Sequence, residues 1–224
     1  VKVASAYPGT PSTEIMENLG RYPVGDVKAQ WATNEKVSLD VAIGGSFAGV
    51  RSMCMMKHVG LNVASDALMS QSYIGAHGGL VMIVCDDPGI HSSQNEQDTR
   101  LFGKFAQVPV LEPCDAQEAL DFTKAAFDIS ERYDTPVIVR STTRISHTRS
   151  PVLVSERIVP EDKGFLSQVS KNVMVPGHAR QRHPVVIDRL ERFAEELETS
   201  DLNRLEMGSS KIGIITASMS YVYV

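Results

Sequence analysis

One carboxylate of this chain stands where a strand gives way to a helix. In the stretch QWATNEKVSLDVAIGGSFAG, residues 30–49, an apolar run ends at Thr33 and Asn34, and a helical pattern opens on Glu35. Glu35 sits at the carboxyl end of a strand and the amino end of a helix that reads as mostly buried, with Val37, Leu39, Val41, Ala42, Phe47 and Ala48 apolar or small. The same two residues also have a structural use, Asn34 as N-cap and Glu35 as complement to the helix dipole. A second polar cluster is the loop DDPGIHSSQNEQD, residues 86–98, where His91, Ser92, Ser93 and Gln94 lie side by side. It suits substrate contact or proton shuttling as well as it suits a solvated loop. Thr10, between Gly9 and Pro11, either serves its turn or offers a hydroxyl to a ligand. Arg51 and Arg100 are candidates to grip a substrate carboxylate bidentately, or to form surface ion pairs.

Several chemistries lack their residues. Ser92 has no G-x-S-x-G context for a hydrolase nucleophile. The six histidines include no i, i+4 pair, and Cys54, Cys85 and Cys114 form no C-x-x-C, so no metal site and no iron–sulfur cluster is expected from this stretch alone. Gly44, Gly45 and Gly49 lie inside a helix and make no dinucleotide or Walker motif. The run GAHGG at 75–79 precedes a strand, which suits close backbone packing.

The elements that must carry these residues alternate. Strands are expected at 1–6, 27–32, 51–56, 80–85, 108–111 and 136–140. Helices are expected at 13–19, from Glu35, at 58–72, 99–106 and 115–133. LVMIVC at 80–85 is apolar throughout, as in the centre of a parallel sheet covered on both faces. The pattern predicts an α/β fold, a parallel sheet with helices on both faces. Ligands of such sheets sit at the carboxyl ends of the strands, where Thr10, Asn34, Glu35 and the 86–98 loop fall together. Residues 1–150 form the first domain. Residues 151–210 read as a crossing segment with a charged helix from Pro184 and a break at Ser209–Ser210, and 211–224 as the first strand of a second α/β domain.

Hydrophobic content of 42% and charged content of 22% are those of a globular chain. A net charge of −5 argues against nucleic-acid binding. No run approaches the roughly 18 apolar residues of a membrane span, and no signal peptide is visible. The chain opens inside a strand-like run without a Met, so a preceding segment is expected. Scattered cysteines suit buried thiols in a reducing cytoplasm.

Taken together, YPGTPSTEI, WATNEKVSLDVAIGGSFAGVRSM, MKHVGLNVASDALM, GGLVMIVCDDPGIHSSQNEQDTR and VPVLEPCDAQEA resemble the α subunits of the indolepyruvate:ferredoxin oxidoreductase family, within the 2-oxoacid:ferredoxin oxidoreductase superfamily. The resemblance is dense over 1–150 and thin over 211–224. It implies the pyrimidine-binding (PYR-type) fold of thiamine-diphosphate enzymes. It also implies oxidative decarboxylation of arylpyruvates to acyl-coenzyme A, with ferredoxin as electron acceptor. Pyruvate or 2-oxoglutarate as substrate, and a non-catalytic α/β assembly subunit, are the alternatives. By the resemblance Glu35, with Asn34 beside it, serves the cofactor's aminopyrimidine, since a carboxyl hydrogen-bonded to N1′ promotes its activation. Thr10 lies near the substrate, and His91, Ser92, Ser93, Gln94 and Arg100 border it. Mg²⁺ and the diphosphate are held by a separate diphosphate-binding domain, and iron–sulfur clusters and a β subunit lie elsewhere in the complex.

Overall fold

The structure is a computed structural model and describes residues 1–209 and 211–224. The break expected at Ser209–Ser210 therefore falls partly outside the described residues.

Strands β1 (Val3–Ala6), β2 (Lys28–Trp31), β3 (Ser52–Lys57), β4 (Leu80–Asp86), β5 (Val110–Leu111) and β6 (Val137–Thr142) form one six-stranded sheet in the order β2-β1-β3-β4-β6-β5. Every pairing is parallel. The intervening helices are α1 (Thr13–Leu19), α2 (Glu35–Phe47), α3 (His58–Ile74), α4 (Thr99–Ala106) and α5 (Ala116–Tyr133). The parallel α/β reading holds, and so does helix cover on both faces. Met53, Met55, Val81 and Ile83 pack with Met16 of α1 and with Phe127 and Tyr133 of α5. The alternate residues Cys54, Met56, Met82 and Val84 pack with Leu39 of α2 and Leu61 and Leu68 of α3. Alternation along each strand divides the apolar side chains between two cores. The central strands β3 and β4 are buried along their whole length, which is why they read as unbroken apolar runs.

Three expectations need correction. The α2 helix is one-sided, with Val37 and Asp40 exposed and Leu39 and Ala42 buried. The charged helix begins at Pro176, not Pro184. This helix, α8 (Pro176–Leu197), carries Pro184 in its interior. Proline favours a first helical turn, so the later one read as a start, although an earlier proline holds that place. The segment 211–218 forms no strand: it is irregular, with Ile214 and Ile215 exposed, and a 3-10 turn follows at Ser218–Tyr223. Apolar β-branched residues make a strand only where a sheet offers ladder partners. Between the sheet domain and α8 lie two short helices, α6 (Thr143–Ser146) and α7 (Val169–Asn172), and otherwise irregular chain.

The α8 helix is fastened to the sheet domain through Asp134, which closes α5 in a left-handed conformation. Its carboxylate pairs with Lys171 at 2.6 Å and Arg182 at 2.9 Å. Buried Arg189 donates to the carbonyls of Asp134 and Ser72.

Candidate active site

The candidate residues converge on the carboxyl edge of the sheet. The loop after β1 is drawn tight by the Ser12 hydroxyl, which donates to the Gly9 carbonyl at 2.8 Å, and by the Gly9 N–H, which donates to Thr13 Oγ1 at 2.8 Å. Ser12 thus closes the turn and caps no amide of α1. Thr10 is left exposed at the tip, its peptide to Pro11 cis.

After β2, Asn34 takes an extended conformation and its Oδ1 accepts from the Val37 N–H at 2.9 Å. The cap fixes the first turn and so the direction in which Glu35 leaves it. Glu35 is half-buried. Its carboxyl lies against Gly60 in the first turn of α3: a β-carbon at position 60 would stand 2.5 Å from Glu35 Cγ and 2.6 Å from Oε1. Among the described residues the Glu35 carboxyl makes no hydrogen bond or ion pair. Its seat is the start of a helix with no side-chain cap and no acid in its first turn.

The loop after β4 is held from below by Asp87, which is fully buried. Its carboxylate accepts from the His91 N–H at 3.1 Å, the Ser92 N–H at 2.8 Å, the Ser93 hydroxyl at 2.6 Å and the Thr143 hydroxyl at 2.8 Å. Burial pushes the Asp87 carboxyl up, but the hydrogen bonds from Ser93, Ser92, Thr143 and His91 outweigh it and hold the group below the ordinary carboxylate range. From β3, the buried Lys57 ammonium donates to the Ser92 carbonyl at 2.7 Å and the Ser92 hydroxyl at 3.1 Å. Asp86, just before Asp87 in the chain, accepts from the Thr99 N–H at 3.0 Å and from Arg140 Nε at 2.6 Å, tying the start of α4 to β6. Arg140 also pairs with Glu112.

The structure therefore brings Thr10, Asn34, Glu35 and the 91–94 loop to one edge, but their states differ. Ser92 and Ser93 are committed to Lys57 and Asp87. The His91 side chain is exposed, and so is Gln94. Arg100 is clamped by Asp98, with contacts of 2.7–3.0 Å. Arg51 lies at the other edge, before β3, paired with Asp128 at 2.6 Å and Glu131 at 2.9 Å. Arg51 is thus taken up away from this edge, whereas Arg100 is exposed at it, with Asp98 meeting its Nε and Nη2. The residues missed from sequence are Lys57, Gly60, Asp87 and Arg140. One signal was available: charged residues ending otherwise apolar strands, as Lys57 ends SMCMMK and Asp86 ends LVMIVCD.

The cysteines are free and buried, and burial pushes Cys54 and Cys85 up to about 12. No helix among the described residues is long and apolar enough to cross a membrane.

Residues 1–200 match the family described as pyruvate flavodoxin/ferredoxin oxidoreductase, thiamine-diphosphate-binding. The chain is 46% identical over 232 residues to the indolepyruvate oxidoreductase subunit IorA of Pyrococcus horikoshii, a match covering 100% of this chain and 36% of that protein. To the IorA subunit of Archaeoglobus fulgidus it is 43% identical, covering 100% of this chain and 37% of that protein. A more distant relative is the ketoisovalerate oxidoreductase subunit VorB of Methanothermobacter thermautotrophicus, 25% identical over 68% of this chain and 46% of that protein. The chain thus spans little more than a third of the length of its IorA relatives. Among solved structures, the fold is like that of the 2-oxoglutarate:ferredoxin oxidoreductase of Magnetococcus marinus, solved with 2-oxoglutarate, coenzyme A and succinyl-CoA bound. The TM-score is 0.62 at 18% identity, over 87% of this chain and 42% of that one. The match to this family over residues 1–200, and identity of 43–46% along the whole chain to the IorA subunits, place this chain in the pyruvate flavodoxin/ferredoxin oxidoreductase family, in its thiamine-diphosphate-binding part.

Proposed function

We propose that the chain supplies the pyrimidine half of a thiamine-diphosphate site in an enzyme that oxidatively decarboxylates arylpyruvates such as indolepyruvate, passing electrons to ferredoxin and the acyl group to coenzyme A. The observation that carries this is Glu35. Its carboxyl is half-buried and without a protein partner among the described residues, and it rests against Gly60 at the edge where parallel sheets bind ligands. Such a group fits a ring nitrogen that needs a proton-sharing partner. The cofactor, when bound, supplies the carbon nucleophile and the electron sink for loss of CO₂. Glu35 holds the proton shared with the pyrimidine, and Asn34 fixes its helix turn. Thr10 and residues 91–94 wall the substrate side, and Arg100 supports that wall through Asp98.

Residues 1–150 act as the pyrimidine-binding domain, 151–210 as the connection onward, and 211–224 lead into a following domain. The diphosphate, its Mg²⁺, the iron–sulfur clusters and the β subunit are contributed from outside these residues. Indolepyruvate is favoured over other 2-oxo acids because the 43–46% identical relatives carry that name, whereas the ketoisovalerate relative is 25% identical. Free, buried cysteines fit a reducing, cytoplasmic setting.

The test is Glu35→Gln in the full-length complex loaded with thiamine diphosphate and Mg²⁺. Exchange of the cofactor C2 proton should slow by roughly two to four orders of magnitude, the usual range for acid–base catalysis. Wild-type exchange in that variant would remove Glu35 from the reaction.

A further inference from the structure

The loop after β4 is fastened piece by piece. Residues 91–93 are held by Asp87 and Lys57, and Thr99, just past the loop, is held by Asp86. The middle, 94–97, bonds largely to the loop itself: Gln97 Nε2 donates to Asn95 Oδ1 at 2.7 Å, and Glu96 accepts from the Gly89 N–H at 2.8 Å. Among the described residues one hydrogen bond ties this middle to the body of the domain, from His58 Nε2 to the Asn95 carbonyl at 3.1 Å. We propose that His58 is a positioning residue, which holds the substrate-side loop in register with Glu35. This rests on the function proposed above and adds the residue that sets one wall of the site against the other.

Three observations carry it. His58 is the first residue of α3, and two residues on Gly60 seats the Glu35 carboxyl. One helical turn therefore meets both the loop and the carboxyl, and fixes their relative placement. Secondly, the loop does not need the bond for its own satisfaction. Asn95 is exposed, so water can take its carbonyl in place of His58. Thirdly, histidine is a costly way to pack this helix start. Its side chain is buried. A carbonyl only accepts, so Nε2 carries the hydrogen of the bond to Asn95. The other ring nitrogen, Nδ1, is buried with no hydrogen-bond partner among the described residues. A buried polar atom left unmet lowers stability, and an apolar side chain of similar size would avoid that loss. Stability alone thus does not account for histidine at 58, whereas its single bond to the loop does.

The experiment uses the full-length complex with two apolar variants, His58→Leu and His58→Phe, and with His58→Gln, whose side-chain amide can donate in place of Nε2. Calorimetry reads the affinity for indole-3-propionate, a non-reacting analogue of an arylpyruvate. The KM for indolepyruvate and the exchange of the cofactor C2 proton are measured beside it. In the apolar variants the analogue should bind about fivefold more weakly and the KM should rise by the same factor, that of one neutral hydrogen bond, while C2 exchange changes less than about twofold. His58→Gln should bring affinity and KM back toward wild type. Unchanged affinity in a folded apolar variant, a parallel loss of affinity and C2 exchange, or no rescue by glutamine overturns the proposal. So does failure of both apolar variants to fold, which would make His58 a part of the fold and not of the site. The analogue binds without turnover, so this result is separate from that of Glu35→Gln, which tests the reaction itself.

Discussion

Glu35 keeps its place because residue 60 has no side chain. A β-carbon there would stand 2.5–2.8 Å from Glu35 Cγ, Oε1 and Cδ, closer than packed atoms tolerate. The obstacle is the far end of a flexible side chain, so Gly60→Ala should move Glu35 and spare the fold. Within a helix, alanine should even stabilise by up to about 1 kcal/mol. Displacing the carboxyl by about an ångström should slow cofactor C2 exchange roughly a hundredfold. The signature is a variant of the full-length complex as heat-resistant as wild type but slow in exchange, and unchanged exchange would show that the seat is not needed. Gly60 also marks where sequence reasoning stopped. Glu35 and Thr10 were legible because each follows a strand, and strand ends can be read from local pattern. The contacts of Gly60 with Glu35, of Lys57 with Ser92 and of Asp87 with Thr143 join segments 25, 35 and 56 residues apart, and nothing in spacing announces them.

At the scale of elements, the helix starts do the positioning. Asn34, Asp98 and Asp115 are each extended, and each side chain accepts from an amide of its own first turn. Such caps are written locally, which is why the starts of α2, α4 and α5 were read to within a residue. The end of the chain resisted the same treatment. The alternation in KIGIITAS is strand-like, yet a strand is a property of a pair, and no local pattern supplies the partner. Pro184 misled for a related reason: proline marks a helix start by preference, while packing of Val186, Arg189 and Phe193 carries the helix through it. The cap at Asn34 has a measurable consequence. Asn34→Ala removes the acceptor of the Val37 N–H and should cost about 1 kcal/mol. In the full-length complex, hydrogen exchange of the amides at 36–38 should speed up about fivefold, the factor that energy represents. Cofactor C2 exchange should slow with it as the Glu35 turn frays, whereas Asn34→Asp should preserve both. Fraying without a catalytic effect would separate the cap from the carboxyl it is held to aim.

For the whole molecule, the question is how much of a cofactor site one sheet edge can make. Binding pockets for small molecules usually enclose most of the ligand's surface. Here Glu35 is offered from an edge, and two cavities in the surface lie elsewhere. One is lined by Asn62, Leu101 and Phe105 between α3 and α4, the other by Phe122, Ala125 and Leu202 beside α5. Neither includes Thr10, Glu35 or the 91–94 loop. Among the described residues no group of three or more His, Cys, Asp or Glu side chains stands together to hold a metal ion. A diphosphate would therefore have to bring its Mg²⁺ to a surface that offers the pyrimidine one carboxyl, and a single hydrogen bond to a charged group contributes about 1.5–3 kcal/mol. That falls short of the about 8 kcal/mol that micromolar affinity requires. Residues 1–224 alone should accordingly bind thiamine diphosphate only in the millimolar range or more weakly, with little dependence on Mg²⁺. The full-length complex should bind far more tightly, and only when Mg²⁺ is present. Calorimetry on both separates the cases, and micromolar, Mg²⁺-dependent binding by the 224 residues alone would mean that this edge holds the diphosphate as well as the ring.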